Sequence, residues 1–446
     1  MKYSYLKSGC RLLTIPKRDS NSTHIAFFVN VGSCSEKKGE YGMAHFLEHM
    51  LFKGNKELQS QLKITRQLDG MGADYNAYTT PDTTCYHISV ASKYATKAFT
   101  TYSNMLLHST LKKSDMTREK AVVVEEFNKL IDNVGIYVQQ NTQQIAFEGT
   151  TLGRPTIGYV SDIFNLTHNS LTSFYNRYYC KKNMLIVISG KIPSTLFSKV
   201  YGIYGIRVRS KINEITDTPD YTPDTYPPMG SGLPRELQLY IHSCDEKECN
   251  TICLDKRKEV KQSNVVIAYR IDGIYNNDYQ VLQLIGEHLG GGMSSILFQR
   301  IRTELGLAYT IRCEMELFRE GGLFIIYAGT DSKNCKSLVQ NILKEVERLK
   351  RTLLKPKVIR QRLDTVKGKL LLGLEDGMAV NLAYGSRALF HAPIHTAKHL
   401  SEHVFIPKRM TPSRIRNIAR KYFIPENTYI SIIGSHSKKY VKTLLK

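Results

Sequence analysis

No apolar run in the chain approaches the roughly 20 residues that a membrane-spanning helix needs, so no contact with a membrane interior is expected. The first residues, Met1-Lys2-Tyr3-Ser4-Tyr5-Leu6, lead almost at once into a strand-like stretch. They hold no secretory h-region and leave no room for an arginine-rich transit peptide, which predicts an intracellular, cytoplasmic setting. Cysteine occurs in an odd number, nine, and is scattered. That argues against a disulfide framework and for a reducing compartment. The one cluster, Cys244, Cys249 and Cys253, is spaced C-x4-C-x3-C. This is not a zinc-finger spacing and no second pair completes it, so no second metal site is expected there. Acidic residues are in deficit: 40 Asp and Glu against 62 Lys and Arg leave a net charge of +22. Such an excess serves solubility, polyanion binding or an acidic substrate. The densest basic run, Lys350-Arg351-Thr352-Leu353-Leu354-Lys355-Pro356-Lys357, lacks interleaved aromatics and any nucleic-acid motif. It reads as a solvated helix end and loop, and no nucleic-acid partner is expected.

What the chain does contain is His45-Phe46-Leu47-Glu48-His49, an H-x-x-E-H run within Tyr41 to Gly54. With no internal proline and a glycine at the end, this stretch can be one helix. Positions i and i+4 share a helix face, so His45 and His49 can offer two imidazoles to one cation, with Glu48 close by to take a proton from a water. Two neutral nitrogens, a third ligand and an open position make a catalytic zinc site. The third ligand is sought in Met116 to Leu130, where Ser114 or Asp115 could start a helix. Glu119 and Glu126 fall on one face, seven apart, and Glu125 points about 100° away from Glu126.

At 446 residues the chain exceeds one domain of usual size. Its hydrophobic fraction of 42% supports a core, and no long segment is low-complexity. A first half runs from 1 to 204, with strand candidates at 25–31 and 84–90. Residues 205–235 read as a linker, since 216–230 is rich in proline and small polar residues. The pattern then restarts in 236–446. Strand candidates lie at 264–269 and 322–329, and a helix candidate at 279–289 sits where the first half has H-x-x-E-H but lacks that motif. This reads as a diverged duplication in which only the first copy carries metal.

The H-x-x-E-H run, Gly32-Ser33-Cys34-Ser35-Glu36, Gly72 to Thr79 with its Asn76-Ala77 pair, Leu152 to Gly158, Asn183 to Gly190, and Gly290 through Tyr309 together resemble the insulinase/pitrilysin family of inverted zinc peptidases. The nearest likeness is to its short members, such as the beta subunit of mitochondrial processing peptidase. The resemblance implies an α+β fold of two homologous halves, each a mostly antiparallel sheet packed with helices. It selects Glu126 as third ligand beside His45 and His49, with one Zn2+ per chain, Glu48 as general base and Glu119 as helper at the catalytic site. It implies that Asn76 and Ala77 lie on an edge strand to which substrate backbone adds, and that Arg302 and Tyr309 hold substrate. The expected activity is that of a zinc-dependent endopeptidase acting on peptides or extended protein segments. The partners implied are a peptide substrate and a second copy in a homodimer, or a related subunit in a heterodimer. A non-catalytic scaffold or peptide-binding subunit of the same fold is the alternative. His87, His108 and His288 receive no role.

Overall fold

Strand β3 (Ser22–Val29) shows how side-chain alternation specifies a two-faced sheet. Ile25, Phe27 and Val29 enter one apolar cluster, while Ala26 and Phe28 enter another on the opposite face. The structure is a computed structural model describing residues 1–208, 251–257, 259–392 and 394–437. Residues 209–235 of the expected linker lie outside the described residues, and so do Cys244 and Cys249 of the second half.

β3 is central in a sheet with β1 (Lys2–Leu6), β2 (Arg11–Pro16), β4 (Asp74–Thr79), β5 (Thr84–Ala91), β6 (Met184–Gly190) and β7 (Arg207–Val208). Their spatial order is β4-β5-β3-β6-β2-β1-β7, and β2–β6 is the parallel pair. The strand expected at 25–31 stops at Val29 because the Val31 N–H turns back to the Val29 carbonyl at 2.8 Å. Around this sheet the chain forms α1 (Met43–Leu51), α2 (Gln61–Asp69), α3 (Ala95–Leu107), α4 (Lys113–Asp132), α5 (Val134–Ala146), α6 (Val160–Asn165), α7 (His168–Tyr178) and α8 (Ser194–Tyr204).

The second sheet contains β8 (Thr251–Lys256), β9 (Gln262–Ile271), β10 (Ala308–Leu317), β11 (Gly322–Asp331) and β12 (Thr428–Gly434). Its order is β10-β11-β9-β12-β8, with β8–β12 parallel. This repeats the β4-β5-β3-β6-β2 order and strand directions of the first sheet. Its helices are α9 (Tyr279–Gly290), α10 (Cys335–Arg351), α11 (Pro356–Gly373) and α13 (Pro412–Tyr422); α12 (Gly377–Leu389) precedes the last in sequence. The repeat extends to single bonds. Asn183 donates its amide to the carbonyls of Asn30 and Tyr178, and Asn427 donates likewise to Arg270 and Tyr422. The fold is therefore α+β, two largely antiparallel sheets packed with helices.

The compact units are not the uninterrupted halves 1–204 and 236–446. One comprises Met1–Asn128, Arg154–Pro223 and Leu372–His395; the other comprises Lys129–Gly153, Asp224–Leu371 and Thr396–Lys446. The reason is coverage of apolar faces. Helices local to each half cover one face of its sheet. The other face of the first sheet is covered by α12, whose Ala388 and Leu389 pack with Phe28, Leu13 and Val187. α5 packs on β9, β12 and β8 in the same way. Close approach is built in at Gly385, where a Cβ would lie 2.1 Å from the Phe28 ring. Polar anchors fix α12: the Asn381 amide donates to the His24 carbonyl at 2.9 Å, and Ser189 donates to the Gly377 carbonyl at 2.9 Å.

Candidate metal centre

Helix α1 is shorter than the expected 41–54 span. Gly42 takes φ +80°, so the helix begins at Met43; it ends at Leu51, and Gly54 turns the chain at φ +151°. A Cβ on Gly42 would lie 2.6 Å from the Ile157 carbonyl oxygen, so glycine is required twice over. The free N–H groups at the helix start are met by Glu36, whose carboxyl accepts from Gly42 at 2.9 Å and Ala44 at 2.8 Å. Burial pushes this carboxyl up to about 8, against the backbone donors and Arg154, which draw it down. Glu36 and Arg154, which lies over the Tyr41 ring, thus give the 32–36 run and the 152–158 segment a purpose: they seat the H-x-x-E-H helix. On the far side, Asn55 accepts the Glu57 and Leu58 N–H groups at 2.9 and 2.8 Å and shapes the exit turn.

The partner helix α4 begins at Lys113, before the expected Ser114 or Asp115, because the Lys112 carbonyl already accepts from the N–H groups of Asp115 and Met116. Met116 and Val123 are buried, and Glu119 and Glu126 lie on the neighbouring stripe. The structure brings His45, His49 and Glu126 together with one ligand atom from each within 4.8 Å of the others. His49 Nε2 is 3.1 Å from Glu126 Oε2, and His45 Nε2 is 3.6 Å from Glu126 Oε1. Bonds of about 2.0–2.2 Å to a tetrahedral zinc put its ligand atoms roughly 3.3–3.6 Å apart, so the donor set and spacing fit this ion.

Glu119 is not beside the open side of the cluster. It is buried behind His49, accepting from Nδ1 at 2.9 Å, while Lys53 reaches its other oxygen at 2.5 Å. This carboxylate fixes the imidazole orientation and turns Nε2 toward Glu126. Burial works to raise the Glu119 carboxyl, but the His49 and Lys53 contacts outweigh it and hold the group below its ordinary value. His49 is likewise opposed by burial yet pushed up to about 9 by Glu119 and Glu126. Glu126 is drawn well below the carboxylate range by both histidines. Glu48 differs: burial raises it, offset in part by His45 and by Thr79, whose hydroxyl donates to Oε2 at 2.5 Å.

Thr79 ends β4, which is the sheet's outer strand, so the base is tied to the strand carrying Asn76 and Ala77. Asn76 is exposed, and its side-chain oxygen accepts the Ala77 N–H at 2.9 Å. Motif and spacing alone single out neither Thr79 nor Lys53. A hydroxyl ending the Asn-Ala strand, and a lysine one turn beyond the second histidine, are the available signals. Arg302 and Tyr309 are brought together in the other unit. Arg302 lies in a π-helical turn, Phe298–Glu304, with its guanidinium 4.9 Å from the centre of the Tyr309 ring, and Tyr309 is 75% exposed.

Among the described residues no helix is long and apolar enough to cross a membrane. Cys10, Cys85 and Cys335 are buried thiols outside any disulfide. Lys350 and Arg351, in the dense basic run, end α10 and pair with Glu347, as a solvated helix end should.

The chain is similar to known proteins along most of its length. It is 25% identical over 417 residues to YmxG, a protein of Bacillus subtilis named an uncharacterized zinc protease, covering 94% of both chains. It is 27% identical over 361 residues to an uncharacterized zinc protease of Rickettsia bellii, covering 80% of each. Among solved structures, a protease from Helicobacter pylori shares the fold with a TM-score of 0.81 at 20% identity, covering 97% of this chain and 98% of that one. Residues 11–159 match the family described as Insulinase (Peptidase family M16), and residues 165–361 match the Peptidase M16 inactive domain. With the H-x-x-E-H helix inside the first match and none in the second, the chain belongs to the insulinase family of peptidases, family M16.

Proposed function

We propose that this protein is a zinc-dependent endopeptidase that hydrolyses peptides or extended protein segments, with one zinc per chain held by His45, His49 and Glu126. The observation that carries the reading is the convergence of those three ligand atoms from two helices, with the Glu48 carboxyl alongside. A zinc ion held there supplies Lewis acidity toward a water and a peptide carbonyl. Glu48 takes the proton of the attacking water and returns it to the departing amine. A buried carboxylate fixed through one oxygen suits both steps, because it stays in place to accept the proton and then to give it up. Thr79 holds one Glu48 oxygen and leaves the other for the water. Substrate backbone adds to the outer edge of β4 at Asn76 and Ala77, which favours extended chains over folded ones. Arg302 and Tyr309, in the second unit, offer a planar cation and a phenol donor for holding substrate. The chain works as a homodimer, or paired with a related subunit, in the cytoplasm; the buried reduced thiols accord with that setting.

The test is cleavage of a mixed peptide library by metal-loaded protein, with Glu48→Gln as control. Loss of the base lowers turnover by about 10²–10⁴-fold while zinc content stays unchanged. A Glu48→Gln protein that keeps its zinc and cleaves at the wild-type rate would overturn the mechanism. Purified wild type with neither zinc nor chelator-sensitive cleavage makes the chain a peptide-binding scaffold of the same fold.

A further inference from the structure

The second unit contains a counterpart of the helix pair α1–α4, and the burial pattern fixes the correspondence residue by residue. α4 starts at Lys113 and α11 at Pro356. Counting from those starts, buried Met116 and Val123 fall opposite buried Ile359 and Val366. Each helix leads on to another of 13 residues, α5 and α12. In the other member of the pair, buried Phe46, Leu47, Met50 and Leu51 of α1 fall opposite buried Ile285, Gly286, Leu289 and Gly290 of α9. The chemistry then lines up. Glu48 and His49 are matched by Glu287 and His288, His45 by Leu284, Glu119 by Arg362, and Glu126 by Lys369.

One imidazole has become an alkyl group and both carboxylates have become cations. The Lys369 ammonium lies 2.7 Å from Glu287 Oε2 and 2.6 Å from the Gly291 carbonyl oxygen. Glu287's side chain is only 10% exposed, so without Lys369 its charge is left largely desolvated. Arg362 donates to the Ser294 carbonyl at 2.6 Å and to its hydroxyl at 2.9 Å. His288 is buried, and its Nδ1 has no hydrogen-bond partner.

We propose that Lys369 is the resident cation of the second unit: its ammonium bridges α9 to α11 where, in the first unit, a divalent ion held by His45, His49 and Glu126 would link α1 to α4, and so this copy keeps its helix pair without metal. The comparison with the metal rests on the proposed reading of the first unit; the clamp itself does not. Charge explains why the exchange is stable. In the first unit a dication would face two carboxylates, whereas in the second a built-in monocation faces one. A divalent ion entering the second pocket meets Arg362 and Lys369 and finds only Glu287 and His288 as donors.

Two experiments judge this. In the first, the His45→Ala, His49→Ala protein, which has lost the first site, receives Leu284→His, Arg362→Glu and Lys369→Glu. Wild type is expected to hold one zinc, the double variant none and the rebuilt protein one again, with cobalt substitution giving a tetrahedral visible spectrum. Rebuilt protein that folds but takes up neither metal overturns the correspondence. In the second, Lys369→Met is compared with Lys369→Arg in otherwise wild-type protein. The methionine variant is expected to lower the thermal midpoint of the second unit by about 2–4 °C, equally with and without chelator, and the arginine variant to restore it. An unchanged midpoint in Lys369→Met refutes the clamp whether or not the rebuilt protein folds. Absence of zinc from wild type refutes the reading of the first unit, while the Lys369 series still decides the clamp.

Discussion

His49 and His288 occupy the same turn of corresponding helices, each following a glutamate, each packed under an equivalent sheet. Their surroundings drive them apart. Burial favours the neutral ring in both. At His49 two carboxylates, Glu119 and Glu126, overcome it and push the pKa up to about 9. At His288 burial is reinforced by Arg362 and Arg348, and the pKa falls to about 4. A duplicated scaffold therefore determines where an imidazole stands, while the two positions seven apart on the neighbouring helix decide what it can do. Carboxylates there complete a cluster that can hold a cation, whereas a lysine there closes an ion pair with Glu287 and an arginine bonds to Ser294.

The sharpest way to break this contrast is to move one second-unit residue into the first. Glu126→Lys removes a ligand and plants a like charge beside the metal. Zinc affinity should fall by more than about 100-fold, and peptide cleavage should drop to background. Normal zinc content in the purified variant would show that Glu126 is not a ligand. Glu119→Gln is gentler, because it leaves all three ligands and weakens only the group that orients His49. A loss of about 10- to 100-fold in zinc affinity is expected, read by competition with a chelating dye, with cleavage recovering at saturating zinc. A variant whose affinity is unchanged would reduce Glu119 to a partner for Lys53.

Much of this is legible in the sequence, and the parts that are not share a cause. His45, His49 and Glu48 lie on one helix, where spacing alone puts them on nearby faces. The choice of Glu126 over Glu125 needs the family's spacing, since both sit on the same helix and only tertiary packing tells which face meets α1. The strands around 25–31, 84–90, 264–269 and 322–329 are visible because β-branched and aromatic residues cluster there; their ends move by a few residues where turns such as Val29–Val31 take over. The exchange of α5 and α12 between units is invisible, because a 13-residue helix with a few small or apolar buried positions carries no signal of which sheet face it will cover. The Thr79–Glu48 and Glu36–helix contacts are hidden for the same reason: a hydroxyl or carboxyl gives no periodic signal of the distant group it will meet. Glu119, expected as a helper at the catalytic site, stands behind the His49 imidazole, a placement the spacing of seven from Glu126 does not by itself reveal.

A smaller effect probes the same contrast through pH. The folded His288 pKa of about 4 lies below the ordinary 6.5, so between those values the unfolded chain binds more protons than the native one. Stability of the second unit is therefore full above about 6.5 and declines as pH falls toward 4, by up to roughly 1.4 kcal/mol for each pH unit crossed between the two values. Denaturant midpoints at pH 7 and pH 5 for wild type and His288→Leu check this. The leucine variant should lose less stability on acidification, and an equal loss in both would show that burial and the two arginines do not hold His288 below its ordinary value.

The smallest expected effect concerns the position next to Lys369. Gly368 lies inside α11, exposed, with no atom within 4 Å of where a Cβ would stand, and it takes an ordinary helical φ. Its counterpart in α4 is Glu125, an exposed residue outside the His45, His49 and Glu126 cluster. The glycine thus serves no close approach and carries only the entropic penalty of holding a flexible residue in a helix. Gly368→Ala should stabilise the second unit by about 0.5–1 kcal/mol, measured by denaturant unfolding, with zinc content untouched. A loss of stability instead would mean that another surface packs on that face of α11, and that the two helix pairs differ in what covers them as well as in the charges they hold.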